Sequence, residues 1–291
     1  MIACDLCGAN NPVNVLESPG LDGPLVRCSQ CSLYYVASRR SQLTFGSGSA
    51  ADVADRVRRA NQGFQNLGLE EEHRLSLLNA RWRLDLIRKY CGSGRLLEVG
   101  CARGDFLQVA KNFYDVQGVE PNPELAQSAR KVAAVHQDVV ETLPMNEFDI
   151  AASFHVIEHV DSPARFVRAM AQRVKAGGWL VLETPNIDSV PFKTMRSRWR
   201  QFIPEHYYFF DPHTITQLLE SAGLKVERIR NVGKYASMGL ILNRLSRYTA
   251  AARPIEYLCR TLHLSRLTFR VNPMDIMLVV ATKWPDSDER R

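Results

Sequence analysis

Arg95-Leu-Leu-Glu98-Val-Gly100-Cys101-Ala102-Arg-Gly104-Asp105-Phe106-Leu107, with Val119-Glu120-Pro121 further on, sets the architecture. An apolar strand runs into a turn of small residues, a helical pattern starts at once, and a second strand then ends in a carboxylate. Such a turn lets backbone come close to a nucleotide-type ligand, and an acid at the next strand tip can hold two ribose hydroxyls. The dinucleotide fingerprint Gly-x-Gly-x-x-Gly does not fit. Counted from Gly100, its second glycine falls on Ala102 and its third on Asp105. A carboxylate at that place would face a pyrophosphate at the helix N-terminus, which is electrostatically wrong. The pattern that fits is Glu-x-Gly-x-(Gly)-x-Gly, carried by Glu98, Gly100 and Gly104, with Ala102 in the middle place. An alanine is unstrained there only at negative φ.

These residues resemble motif I of the class I S-adenosylmethionine-dependent methyltransferases. Gly118-Val-Glu120 resembles the second motif, whose acid grips the ribose, and Gln137-Asp138-Val139 resembles the segment that reads the adenine amino group. The stretch from Phe148 to Val160 resembles the fourth strand, under the methyl donor, and Lys175 to Asn186 resembles the turn into the fifth strand. The resemblance spans Leu86 to Lys283. It implies an α/β, Rossmann-like, seven-stranded mixed sheet, with the seventh strand inserted antiparallel between the fifth and sixth. It also implies S-adenosylmethionine as cofactor. The implied cofactor site consists of Glu98, Gly100, Cys101, Ala102, Gly104, Phe106, Glu120, Pro121, Asp138, Val139, Phe154 and His155.

Four of the seven cysteines form two pairs, Cys4-Asp-Leu-Cys7 and Cys28-Ser-Gln-Cys31. Two Cys-x-x-Cys knuckles can deliver four thiolates to one tetrahedral Zn²⁺. Gly8, after the first knuckle, suits a tight turn at positive φ. Turn signals between short apolar runs predict β-hairpins, and so short a unit needs metal to supply the stability its small core lacks. Four thiolates leave no open position, so the zinc is expected to be structural. Disulfides are the competing reading, disfavoured because Met1-Ile-Ala-Cys does not begin a secretion signal.

The chain has 291 residues, 45% apolar and 23% charged, with a net charge of +6. That suits one large α/β core plus a small appendage, in the cytoplasm, with anionic partners such as RNA, nucleotide sugars or a phospholipid surface. No apolar run is long enough to span a bilayer. The expected organisation is a zinc ribbon over 1–36, a linker and N-terminal helices over 37–90, and a methyltransferase domain over 91–291. Within that domain, 232–273 reads as a helical insertion carrying Lys234, Arg244, Arg247, Arg253, Arg260, Arg266 and Arg270 against the single acid Glu256. Peripheral membrane contact and oligomerisation stay open at this level.

Methyl transfer is an in-line displacement, so the protein must align an acceptor and remove its proton. His155, at the end of the fourth core strand, and His206, in Pro204-Glu-His-Tyr-Tyr-Phe-Phe-Asp-Pro, are the candidate bases. The second segment resembles the acceptor-covering loop of zinc-ribbon methyltransferases of polysaccharide and natural-product pathways. That implies O-methylation of a sugar or natural-product hydroxyl, on a nucleotide- or lipid-linked small molecule, with Arg196-Ser-Arg-Trp-Arg200 holding phosphates. His155-Val-Ile-Glu158-His159 places three donors on one face if it turns helical. Ubiquinone-pathway and small-RNA methyltransferases carry Glu-x-x-Glu-His there and bind a divalent ion. This chain has His155 in place of the first Glu; by that resemblance a second divalent ion would sit on His155, Glu158 and His159, with His206 completing the set. The alternative function is RNA methylation, with the ribbon, Trp199, Tyr207 and Tyr208 gripping RNA.

Overall fold

The chain is described by a computed structural model covering residues 2–37, 69–145, 147–246, 249, 252–262 and 264–284. Nearly all of the linker expected over 37–52, and the start of the helical stretch expected from Asp55, lie outside the described residues. The N-terminal unit is an antiparallel meander of β1 (Pro12–Leu16), β2 (Leu25–Cys28) and β3 (Tyr34–Val36). Helix α1 (Leu69–Ile87) then leads into the core.

From β4 (Arg95–Val99) onward, strands and helices alternate: α2 (Asp105–Ala110), β5 (Asp115–Val119), α3 (Pro123–Ala129), β6 (Ala134–His136), β7 (Phe148–Phe154), α4 (Pro163–Arg173), β8 (Val174–Pro185) and α5 (Val190–Met195). The two-residue strand β9 (Tyr208–Phe209) precedes α6 (Pro212–Ser221) and β10 (Leu224–Asn231). The 232–273 segment supplies β11 (Lys234–Ser237), α7 (Met238–Leu245), α8 (Ala252–Thr261) and β12 (Thr268–Val271), before β13 (Ile276–Lys283).

Seven strands form one sheet in the order β10-β13-β8-β7-β4-β5-β6. β13 runs antiparallel to both neighbours, and the pairings from β8 through β6 are parallel. Helices cover both faces, so the central strands are buried almost throughout, as parallel sheets require. Alternate residues of β4 feed opposite layers: Leu97 and Val99 pack with Phe166 and Met170 of α4, and Leu96 packs with Leu84 of α1 and Leu107 of α2.

Three helices begin with a capping residue followed by proline. Asn122, Ser162 and Asp211 accept from the backbone N–H of Leu125, Arg165 and Thr214. Each side chain satisfies one orphan donor, worth about 1 kcal/mol, and the proline at the first helical position sacrifices no bond. These caps start the helices just beyond the strand ends, where a ligand binds in an open α/β sheet.

The 232–273 segment differs from its helical expectation. Its ends pair as the antiparallel ladder β11–β12: Thr268-Phe-Arg-Val is a β-prone sequence, and Lys234-Tyr-Ala-Ser pairs with it where the segment closes. It is lashed to α1: Arg74 Nη2 donates to Thr268 Oγ1 at 2.7 Å, and the Asn79 amide bonds both the N–H and the carbonyl of Tyr235.

Candidate active site

Beyond the carboxyl ends of β4, β5 and β7 lies a cavity of about 450 Å³. Gly100, Ala102, Glu120, Pro121, Asp138, Val139, Phe154 and His155 line it, together with Val156, His159 and Arg165. Gly100 sits at φ 77, and a Cβ there would come within 2.4 Å of Val156 Cγ2. Only glycine lets the turn and the β7 end share this wall. Ala102 departs from expectation: its φ is +47, not negative. Its N–H donates to Glu120 Oε2 at 3.0 Å, and the Asn122 N–H donates to Oε1 at 2.9 Å. The Glu120 hydrogen bond is what the strained turn secures, since left-handed alanine costs about 1 kcal/mol or more.

Glu98 is buried beneath the turn, and its Oε2 has no hydrogen-bond partner among the described residues. Burial pushes its carboxyl well above the usual range, against the opposing pull of Arg83. Burial also raises Glu120, though the two backbone donors oppose it. One buried acid lining the cavity, Glu120, and a second just beneath its floor, Glu98, suit a cationic ligand, because a buried acid without a counter-charge prefers to stay neutral. S-adenosylmethionine, a sulfonium zwitterion with an ammonium group, fits that chemistry.

Four of the expected cofactor residues do not line the cavity. Cys101 points into the core: its Sγ lies 2.7 Å from where a Gly118 Cβ would be, and burial raises its thiol pKa. Phe106 packs edge-on against Phe154, with centroids 4.9 Å apart, and so supports the wall from behind. Gly104, at φ 85, is the residue before α2, where a Cβ would crowd Ala129 at 3.2 Å. Glu98 lies below the floor.

His155, at φ 58, stands where β7 ends. Its Nδ1 is 3.1 Å from Glu158 Oε1 and its Nε2 is 2.8 Å from Glu183 Oε1. Each ring nitrogen thus faces a carboxylate, and the ring bridges Glu158 to Glu183. Glu158, His159 and His206 form a separate cluster whose ligand-type atoms all lie within 4.8 Å of one another. His159 Nδ1 meets the Glu205 carbonyl at 2.9 Å, and His206 Nδ1 meets the Gln201 carbonyl at 2.8 Å. Carbonyls only accept, so both protons sit on Nδ1 and both Nε2 atoms carry the lone pair.

Burial, then repulsion from His159, pulls the His206 imidazole down to about 3. Burial alone would raise Glu158, but the His155 hydrogen bond and the three imidazoles hold it near 2. Neutral imidazoles beside an ionised carboxylate are the donor set of a divalent cation. His159 borders the donor cavity, while His206 stacks behind it with centroids 4.6 Å apart.

In the N-terminal unit the four cysteine Sγ atoms also lie within 4.8 Å of one another. The pairs Cys4–Cys31 and Cys7–Cys28 are each 3.4 Å apart, far beyond a bonded S–S distance. A tetrahedron of about 2.3 Å Zn–S bonds has edges near 3.8 Å, so the set fits zinc. The two knuckles repeat each other. Gly8 and Ser32 follow them at φ 75 and 69, and their N–H groups donate to the Cys4 and Cys28 carbonyls. Burial opposes ionisation of Cys28, but the N–H groups of Cys31 and Gln30 and the Cys7 thiol outweigh it and bring it to about 7.

The family described as a methyltransferase domain matches residues 71–229, more than half of the chain. The chain belongs to this family. Its seven-stranded mixed sheet is that of the class I S-adenosylmethionine-dependent methyltransferases. Curated relatives include ubiquinone biosynthesis O-methyltransferases. That of Paraburkholderia phymatum is 28% identical over 62% of this chain and 83% of its own length. That of Bordetella avium is 29% identical over 42% and 63%, and the mitochondrial one of Candida albicans 28% over 45% and 43%. The chain therefore spans less than two thirds of the length of the last two relatives.

Among solved structures, an S-adenosylmethionine-dependent methyltransferase of Thermotoga maritima, described as a possible histamine N-methyltransferase, superposes with a TM-score of 0.52 at 21% identity. The overlap covers 80% of this chain and 96% of that one. A second, from Archaeoglobus fulgidus, gives 0.50 at 22% identity, covering 74% and 97%. These two share the fold.

Several residues of this methyltransferase's site carry no sequence signal. Arg83 of α1 pairs with Glu183 of β8 through two bonds of 2.6 and 2.9 Å, across 100 residues of chain. Glu183 is held well below the usual carboxylate range, because Arg83 and His155 outweigh its burial. The aromatics expected to grip RNA are elsewhere engaged: Trp199, Tyr207 and Tyr208 are at most 3% exposed. Arg200 of the expected phosphate-holding run forks onto the buried Asp275.

Proposed function

We propose that this chain methylates a hydroxyl oxygen of a small-molecule acceptor, a sugar or another natural product, at a divalent-cation site formed by Glu158, His159 and His206. The observation that carries this reading is the convergence of one carboxylate and two Nδ1-protonated imidazoles beside the donor cavity. The relatives' names, as O-methyltransferases, support oxygen as the acceptor atom.

When bound, S-adenosylmethionine supplies a methyl group already activated by the sulfonium charge. Glu120 would accept from the ribose hydroxyls, and the Gly100–Gly104 turn brings backbone close to the nucleoside. Glu158, His159 and His206 would hold the cation, which lowers an acceptor hydroxyl's pKa when bound. Three protein donors leave positions open, as a catalytic metal requires. His155 acts as a positioning residue, bridging Glu158 to Glu183 and fixing the carboxylate's direction. Cys4, Cys7, Cys28 and Cys31 would hold a structural zinc. RNA methylation loses its support with the burial of Trp199, Tyr207 and Tyr208, which cannot stack on bases.

The test is a mild chelation series on the purified protein, with metal content and labelled-methyl transfer to sugar nucleotides and phenols followed together. Transfer should vanish as the first equivalent of metal leaves and return on adding a divalent ion. Undiminished transfer with only the four-cysteine zinc present would refute the reading.

A further inference from the structure

A second cavity, of about 430 Å³, lies on the far side of the Glu183–His155 contact from the donor cavity. Arg83, Arg200 and Lys234 line it, brought together from α1, the β8–β9 connection and β11. Leu75, Leu240 and Ile241 line it as well. Its inner carboxylates are already committed. Arg83 spends Nε and Nη2 on Glu183, and Arg200 spends Nε and Nη2 on Asp275. The Nη1 groups of both forks make no hydrogen bond among the described residues, and neither does the Lys234 ammonium, whose nearest acid oxygen, Glu183 Oε1, is 3.7 Å away.

Three cations against two carboxylates leave one positive charge uncompensated at this half-exposed cavity. Glu72 also lines the cavity, but it sits 3.9 Å from Arg103. Burial, opposed by Glu183 and assisted by both arginines, pulls Lys234 down to about 8. An anion in the cavity would pair with this half-exposed ammonium and with the two unused Nη1 groups, which converge on the same space.

We infer that this cavity is the acceptor's anchoring subsite, which takes a phosphate monoester carrying an apolar tail: the phosphate on Lys234, Arg83 and Arg200, the tail along Leu75, Leu240 and Ile241. Arginine forks and a lysine are the groups that hold phosphate oxygens. The aliphatic wall selects against a free nucleotide. The inference rests on the methyltransferase reading, since it places this anchor one side chain away from the donor cavity.

The test uses the full chain, with decyl phosphate, decanol, uridine diphosphate and inorganic phosphate as probes, and S-adenosylhomocysteine titrated separately. Decyl phosphate should bind at least tenfold more tightly than the other three. Lys234→Gln should weaken it tenfold or more while leaving S-adenosylhomocysteine affinity within twofold. Leu245→Glu, on the half-exposed rim of the same wall, should weaken it too without loss of the folded state by circular dichroism. Equal binding of decanol, or of uridine diphosphate, or indifference to Lys234→Gln, would overturn the inference. Failure of S-adenosylhomocysteine to bind would instead strike the methyltransferase reading, so the two failures are separable.

Discussion

The four-cysteine cluster and the Glu158–His159–His206 cluster gather ligand atoms to within the same 4.8 Å, yet they are built in opposite ways. The first comes from two local knuckles whose own turns, Gly8 and Ser32, aim the sulfurs. The second joins the end of β7 to a loop in the β8–β9 connection, and it depends on carbonyls of neighbouring residues to fix each ring. With a metal bound, the local four-thiolate set would be closed and would serve folding, whereas the long-range set of three donors beside a cavity would keep positions open for chemistry.

The contrast is broken most severely by removing a thiolate. Cys31→Ser should abolish the N-terminal zinc and unfold β1–β3, because metal binding in such small units is worth about 10 kcal/mol or more. Zinc stoichiometry and near-ultraviolet circular dichroism check it, and retention of one zinc per chain at the N-terminal unit would contradict it. Next in size is Glu158→Gln. It leaves the His155 ring facing a neutral amide in a buried place, so a loss of about 3 kcal/mol is expected. Affinity for the second metal should fall by more than about 100-fold, while the N-terminal zinc stays. Denaturant midpoints and metal competition measure both.

A third outcome concerns protons. Glu98 is raised by burial, so it is neutral below its elevated pKa in the free protein. A cation bound beside it lowers that pKa, so binding S-adenosylhomocysteine should release up to one proton between the bound and free values, and none outside that window. Titration calorimetry in buffers of different ionisation heat reads the number, and Glu98→Gln should lower it by the Glu98 share, leaving only what the raised Glu120 contributes. The smallest effect is Ala102→Gly. Relief of the left-handed strain, partly offset by unfolded-chain entropy, should stabilise the fold by about 0.5–1 kcal/mol, seen as a rise in Tm.

What could be read in advance follows the same division. Patterns carried by neighbours in sequence were legible: the Cys-x-x-Cys pairs, the Gly100–Gly104 turn and Glu120 at a strand tip, while the antiparallel β13 was expected only from the family resemblance. Side-chain direction within the turn was not, because one residue decides whether Cys101 meets ligand or core. Nor were the contacts of Arg83 with Glu183, or of Arg200 with Asp275, which exist only after distant segments pack. Gln201 and Glu205 contribute through carbonyls, which every residue has, so no residue type could announce them. Trp199 and Arg200 looked like a surface grip by composition; Asp275, a lone acid just before β13, holds both, burying Trp199 while Arg200 stays partly exposed.

The ladder between β3 and β9 carries a consequence for the order of assembly. Tyr34 pairs with Phe209 and Tyr35 with Tyr208, so the outer strand of the earliest-synthesised sheet comes from a segment that leaves the ribosome far later. The knuckles can capture their ion while the chain is still growing. Yet one sheet edge, together with the face where Leu25 and Val36 meet Phe209, must wait exposed until that late segment arrives. A nascent chain stalled before residue 208 would thus present a sticky border, and the loop carrying His206 is threaded into place by the very event that seals it.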